Sequence, residues 1–167
     1  MDHLEHIKSK IFSNKEDAIG NLQLWRFKDE KIVFTNGCFD LIHRGHLEYM
    51  AQTASLGTKL VIGLNTDTSV QRLKGPQRPI NDEYSRALLL ASLKFVDMVI
   101  LFDEETPYDL IQFVQPDILV KGSDYQAEDI VGYDIVKAKG GEIKTIDFIE
   151  GFSSTGIINR IKSTSES

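Results

Sequence analysis

Two imidazoles three positions apart, His43 and His46, close the run Thr35-Asn-Gly-Cys-Phe-Asp40-Leu-Ile-His43-Arg-Gly-His46. The run leaves a hydrophobic stretch at 31–35, passes through a turn and opens a segment of helical period. On a helix, residues i and i+3 share a face, so both rings can meet one ligand. A helix start also leaves backbone N–H groups unpaired, and these attract phosphate. Gly45 lies between the rings, where a missing Cβ lets a flat ring or a ribose approach the backbone. The combination suits a nucleoside triphosphate. Two surface histidines at a helix start would show the same letters; the preceding strand and the Gly37-Cys-Phe-Asp40 turn favour the ligand.

Such a motif needs a rigid support, and the hydrophobic pattern supplies one. Strand-like apolar runs occur at 31–35, 59–64, 98–101, 117–120 and 142–146. Helical periodicity fills 47–55, 82–94, 107–114, 129–139 and 155–161. Strands alternating with helices predict a doubly wound α/β fold, a parallel five-stranded sheet with helices on both faces. Pro107 fits the first turn of its helix behind Thr106, and Gly140-Gly141 stops the fourth helix before its strand.

Residues 1–30 read as an amphipathic helical lead-in with Ala18, Leu22, Trp25 and either Leu24 or Phe27 toward the core. Residues 31–161 form the single main domain, and the polar tail 162–167 is expected to fray. At 167 residues, 41% of them hydrophobic and 26% charged, the chain fits one globular domain with a full core. A net charge of −6 argues against a nucleic-acid surface. Cys38 is the only cysteine, which excludes an intrachain disulfide and a cysteine metal cluster. No apolar run reaches the roughly 18 residues that span a bilayer, and no signal-peptide core is visible, so the expectation is a cytoplasmic protein.

In an open doubly wound sheet, ligands bind beyond the carboxyl ends of the strands where the strand order reverses. The polar, glycine-bearing segments after strands are 36–46, 65–79 and 121–125, and these carry the functional weight.

Here a resemblance becomes visible. Thr35-Asn-Gly-Cys-Phe-Asp40, His43-Arg-Gly-His46, Asn65-Thr-Asp67, Arg72-Leu-Lys74-Gly75, Arg78-Pro-Ile-Asn81, Val120-Lys-Gly-Ser-Asp-Tyr125 and Ser153-Ser-Thr155 occur in order. The series resembles the heptose 1-phosphate adenylyltransferases, nucleotidyltransferases that share the HIGH motif with class I aminoacyl-tRNA synthetases. It spans about residues 10 to 161. The resemblance implies a Rossmann-like fold and the reaction of ATP with heptose 1-phosphate to ADP-heptose and pyrophosphate, for lipopolysaccharide core. Some relatives carry a sugar kinase on the same chain; this one looks like the free-standing form, with the kinase a separate upstream partner. Relatives form dimers, which makes a homodimer an open expectation. Arg44 departs from the pattern, where relatives often place proline or a small residue, but it falls between the histidines.

A phosphate acceptor is already ionised near neutral pH, so its attack on the α-phosphorus needs no general base. Catalysis reduces to positioning two anions and stabilising charge on the equatorial and leaving oxygens. His43 and His46 are assigned as catalytic donors. Given the resemblance, Lys74 and Arg78 join them as phosphate-neutralising cations on a mobile lid, although a solvated charged loop has the same composition.

Backbone groups at Gly37, Cys38 and Phe39, with the side chains of Thr35 or Asn36, are assigned to the nucleotide, as are Gly45, Lys121, Gly122, Ser153, Ser154 and Thr155. Arg86 is placed on the pyrophosphate side, an intrahelical pair with Asp82 or Glu83 being its alternative. Asn65, Asp67, Asp124 and Tyr125 are candidates for sugar or ribose, with plain packing as the alternative for Tyr125. Ser153–Thr155 can cap a helix and still present N–H groups to a ligand. Asp40 can orient a Mg²⁺ shell or His43, or cap the helix. Cys38 reads as a packed side chain, since direct transfer needs no covalent step.

The expected cofactor is Mg²⁺, with ATP as co-substrate and a sugar 1-phosphate as acceptor; no nucleic acid or membrane partner is expected. The main rival is a cytidylyltransferase acting on glycerol 3-phosphate or a similar small phosphate. Its relatives place Arg-Thr-x-Gly before the Ser/Thr run, where this chain has Ile149-Glu-Gly-Phe152. A nucleotide-binding module without catalysis is the alternative of another class. A synthetase fragment is disfavoured by the acidic balance and by the lack of a Lys-Met-Ser-Lys-Ser-like loop.

Overall fold

Side chains alternate in direction along a strand, and in this chain both directions are apolar. Ile32 and Phe34 point to one face of the sheet with Val61, Met98 and Ile100; Val33 points to the other with Leu60, Ile62 and Val99. A sheet buried on both faces needs two helical layers, and the sequence between strands provides them. In the computed structural model, which describes residues 2–165, the strands are β1 (Ile11–Phe12), β2 (Ile32–Gly37), β3 (Lys59–Asn65), β4 (Met98–Phe102), β5 (Ile118–Gly122) and β6 (Glu142–Ile146). All pair in parallel, in the order β1-β4-β3-β2-β5-β6.

The helices are α1 (His3–Lys8), α2 (Ile19–Phe27), α3 (Arg44–Ala54), α4 (Asp67–Lys74), α5 (Glu83–Ser92), α6 (Tyr108–Val114), α7 (Tyr133–Ala138) and α8 (Ser154–Ser165). Leu22 of α2, Leu110 and Val114 of α6 and Val136 of α7 fill one layer; Tyr49 and Met50 of α3 and Leu90 of α5 fill the other. Burying one such apolar side chain stabilises the fold by about 1.5–3 kcal/mol.

The sheet has six strands, not the expected five. The extra one, β1, is a two-residue edge strand inside what reads as a purely helical lead-in. Of the lead-in residues, Ala18 and Leu22 are fully buried and Trp25 packs on the core, but Leu24 and Phe27 are exposed. The stretch 65–79, read as a loop, contains α4, whose N-cap Thr66 accepts from the N–H of Ser69. The closing helix runs on through Ser165, so 162–165 are helical and not a frayed tail; residues 166–167 lie outside the described residues. Pro107 sits at the cap position of α6, and Gly140 takes a left-handed φ of 84° just after α7.

Strand order reverses between β2 and β5, the switch point of the sheet. Register pairs there are Val33–Ile118 and Phe34–Leu119, whereas β2 and β3 stay paired as far as Gly37–Leu64. Beyond Phe34 and Leu119 the two central strands diverge, which opens a crevice between Asn36-Gly37 and Lys121-Gly122.

Candidate active site

A cleft of about 400 Å³ occupies that crevice. From β2 and its turn come Asn36, Gly37, Cys38, Phe39 and Asp40; from α3, His46 and Tyr49. The β5 side contributes Lys121, Gly122, Asp124 and Tyr125, while Asn65, Lys74, Phe148 and Ser154 complete the walls.

His43 is the N-cap of α3, its backbone extended at φ −136°, and its Nδ1 accepts from the His46 N–H at 3.4 Å. An accepting Nδ1 places the ring proton on Nε2. The two rings stack with centroids 3.8 Å apart and planes 21° from parallel. Phe39 meets the His46 ring edge-on at 5.3 Å, and Phe152 lies over His43 at 6.4 Å. Four aromatic rings thus form a continuous column along the start of α3. An added Cβ on Gly45 would stand 3.0 Å from the His43 ring and 3.2 Å from Phe152 Cβ. The glycine makes room for His43 and Phe152, not for a ligand as its position in the motif suggests.

Burial lowers the pKa of His43. His46 is lowered to about 4, chiefly by burial and then by its neighbour His43, with the Leu41 carbonyl acting the other way and Lys74 adding a little. Both rings are therefore neutral at neutral pH. Since the unfolded chain protonates His46 near 6.5 and the folded chain only near 4, the unfolded state binds more protons between those values. Stability should rise with pH across that window. Urea midpoints measured from pH 4 to 6.5 are expected to climb more steeply for the native chain than for His46→Asn, and equal slopes would remove this assignment.

Asp40 is 1% exposed, and its carboxylate accepts from Arg78 Nε at 2.7 Å, from the Ile80 N–H at 2.8 Å and from the Asn81 N–H at 2.9 Å. Burial alone would raise its pKa; the N–H bonds of Asn81 and Ile80 and the Arg78 guanidinium outweigh it and hold the group below the usual carboxylate range. Asp40 thus neither caps α3 nor keeps an oxygen turned to a metal shell. It anchors the segment 78–81 across the turn, with Asn81 Nδ2 donating back to the Asp40 carbonyl at 3.0 Å. The loop read as a mobile lid is thus tied down at its 78–81 end. Arg78 leans on Asp40 and is not on the cleft wall, while Lys74, at the end of α4, is.

Arg86 is fully buried. Its Nε donates to the Asn81 carbonyl at 3.0 Å, its Nη1 to the carbonyls of Cys38 and Asn65 at 2.7 and 2.8 Å, and its Nη2 to Asp67 Oδ1 at 2.8 Å. Neither the pyrophosphate side nor an intrahelical pair receives it. The same bond engages Asp67 Oδ1, and Asp67 is not on the cleft wall. Thr35 is also withdrawn: it is fully buried and its hydroxyl shares a 2.9 Å hydrogen bond with the Tyr49 hydroxyl.

Asn65 reaches the cleft, although its Nδ2 donates to Ser69 Oγ at 2.9 Å. Ser153 caps α8 by accepting from the Gly156 N–H at 2.9 Å, and Ser154, on the cleft wall, donates to the Leu41 carbonyl at 3.1 Å. Thr155 is exposed and off the wall.

Three wall residues escape the sequence reading: Tyr49, Leu73 and Phe148. Tyr49 was accessible by helical spacing, since it stands three residues beyond His46 on the same face. Burial pushes its hydroxyl up to about 12, against the opposing bonds with Thr35 and Thr53, so it stays protonated. Phe148 stacks on Tyr49 at 5.1 Å, and a Cβ on Gly122 would lie 2.0 Å from its ring. Burial lowers Lys121 to about 8, opposed by Asp124 and Cys38. The Cys38 thiol is pushed up by burial against the pull of Lys74, Arg86 and Arg78, which suits a packed thiol and not a thiolate nucleophile.

A switch-point cleft walled by His46, with His43 stacked behind it off the wall and with lysines at the ends of α4 and β5, belongs to nucleotide chemistry. The chain is a member of the cytidylyltransferase-like family, whose model matches residues 34–160, and it is a nucleotidyltransferase. Among its relatives is the bifunctional protein HldE of Campylobacter concisus, 56% identical over 153 residues, which covers 90% of this chain and 32% of that protein. The chain spans about a third of the length of the curated relatives it matches.

A lipopolysaccharide core biosynthesis protein from Thermoplasma volcanium superposes with a TM-score of 0.57 at 31% identity, covering 72% of this chain and 97% of that one. Pantothenate synthetase from Thermus thermophilus shares the fold, with a TM-score of 0.61 at 18% identity over 92% of this chain and 70% of that one. No helix among the described residues is long and apolar enough to cross a membrane.

Proposed function

We propose that the chain transfers AMP from ATP to heptose 1-phosphate, releasing pyrophosphate. An oxygen of the acceptor phosphate forms a bond to the α-phosphorus as the bond to the bridging oxygen of the β-phosphate breaks, in line and without a covalent enzyme intermediate. The observation that carries the reading is the stacked neutral pair His43 and His46, of which His46 stands on the wall of the switch-point cleft. Neutral imidazoles with one N–H each donate to phosphate oxygens without titrating during turnover. Lys74 on one wall and Lys121 on the other offset the charge of two anions brought together.

The reading draws its substrate from the ordered motifs after each strand and from the similarity to HldE and to a lipopolysaccharide core protein. A sugar kinase would supply the phosphorylated acceptor, in the cytoplasm. Mg²⁺ enters with ATP: no cluster of three or more histidine, cysteine, aspartate or glutamate side chains is poised for a metal among the described residues, and Asp40 is engaged by three donors. The ion's ligands would be phosphate oxygens and water, as is usual for nucleotide-borne Mg²⁺, and it neutralises phosphate charge when bound.

Pyrophosphate release measured over a panel of four nucleoside triphosphates and several sugar and polyol phosphates tests the proposal. ATP with heptose 1-phosphate is expected to give the highest kcat/KM. Turnover with CTP and glycerol 3-phosphate alone would replace it with the cytidylyltransferase reading.

A further inference from the structure

Next to the cleft lies a second, smaller cavity of about 190 Å³. The two share Asn36, Lys121 and Tyr125, so they are neighbouring chambers with a common wall. We infer that the smaller chamber receives the body of the acceptor sugar while Lys121, at the shared wall, takes the acceptor's phosphate. The inference rests on the proposed transferase reading and names where its second substrate sits.

Charge separates the chambers. The larger sets Lys74 and Lys121 against Asp40 and Asp124, and Asp40 is already paired with Arg78, which leaves a positive balance suited to polyphosphate. The smaller carries Glu105 and Asp129 and has Lys121 as its only cation. Two carboxylates would repel a triphosphate, whereas they accept hydrogen bonds from sugar hydroxyls at no such cost. The remaining lining is mixed: Pro107, Ile130 and Val131 offer the apolar surface that the C–H face of a sugar ring packs against, and Thr106 adds a hydroxyl. The volume is less than half that of the nucleotide cleft, which admits a monosaccharide and excludes a second nucleotide.

The wall between the chambers carries an unpaired acceptor. Asn36 lines both chambers, and its Oδ1 is buried with no hydrogen-bond partner among the described residues. A buried acceptor of that kind costs stability unless something donates to it, and a hydroxyl of the incoming sugar phosphate can. Lys121 stands on the same wall as the sole cation both chambers share, where an acceptor phosphate must lie to reach the α-phosphorus of a nucleotide in the larger one. The resemblance to relatives places Lys121 on the nucleotide; the paired chambers place it between the substrates, on the acceptor.

Three variants test the assignment: Glu105→Gln and Asp129→Asn remove the charge that hydroxyls would address, and Val131→Phe fills the chamber. Each is compared with the native chain by pyrophosphate release with ATP and heptose 1-phosphate, and by calorimetric binding of a non-hydrolysable ATP analogue in the absence of acceptor. The expected result is a KM for the sugar phosphate raised about tenfold or more, with analogue affinity and the KM for ATP essentially unchanged. Unchanged analogue binding also shows that the variants fold. A rise in the KM for ATP would mean that the chamber holds the nucleotide base, and an unaltered KM for the sugar phosphate would mean that it holds neither; either overturns the inference while leaving the transferase reading intact. If the native chain turns over no phosphorylated sugar at all, the transferase reading fails first and this inference falls with it.

Discussion

Replacing His46 with alanine should lower kcat by about 10²–10³, the loss that follows removal of one oriented donor at a developing oxyanion. The KM for ATP should move little, because the donor acts on charge that appears as pyrophosphate departs and not on the bound ground state. His46 is held by Phe39 on one side and His43 on the other, so its direction is set before substrate arrives. The companion His43→Ala should cost a comparable factor. The double variant should cost less than the product of the two, since rings in contact at 3.8 Å share their positioning. Steady-state kinetics on the three variants, with circular dichroism to confirm folding, provide the check. A His46→Ala protein within about threefold of native kcat would remove the histidines from the chemistry.

Arg86→Met should produce the largest loss of stability of any single substitution in the site, about 3–5 kcal/mol, seen as a fall in Tm of roughly 6–20 °C for a domain of this size. The side chain is similar in bulk, so the cost comes from what it abandons: the carbonyls of Cys38, Asn65 and Asn81 and the carboxylate of Asp67. Those groups belong to the turn after β2, the end of β3, the segment pinned to Asp40 and the start of α4. One guanidinium fastens four pieces of backbone that frame the cleft. Lysine should rescue little, because a single ammonium on a flexible stem cannot reproduce a planar fork that donates along both edges. Differential scanning calorimetry decides it, and a Tm shift within about 2 °C would show that Arg86 is not the fastener described.

The alternation of strands and helices was legible because buried parallel strands are apolar on both faces and say so in their composition. The edge strand β1 was not, since Ile11 and Phe12 are too few to establish a period. Helix α4 was hidden for a related reason: of its residues Asp67–Lys74 only Val70 is apolar and buried, and the flanking Gly75-Pro76 reads as loop. Within the site, His43 and His46 could be paired from spacing alone because one helical turn brings them together.

Asp40 and Arg86 are the opposite case. Most of their partners lie about twenty to fifty residues away and are backbone groups, which leave no mark in the letters. A sign of Arg86's burial was nevertheless present: it falls one turn before Leu90 on the face of α5 that packs on the sheet, where a charged side chain must find partners or not be there.

The Ser154–Leu41 hydrogen bond and the Phe152–His43 contact join the carboxyl-terminal segment to the start of α3. Helix α8 buries no side chain completely, so little besides those attachments fastens it to the body of the protein. Ser154 also lines the cleft, so a ligand bound there is expected to favour the docked helix, and the docked helix the ligand, by the same free energy. Amide exchange along α8 should slow when an ATP analogue is added and remain fast without it; in that sense α8 would act as a clasp that the nucleotide itself fastens.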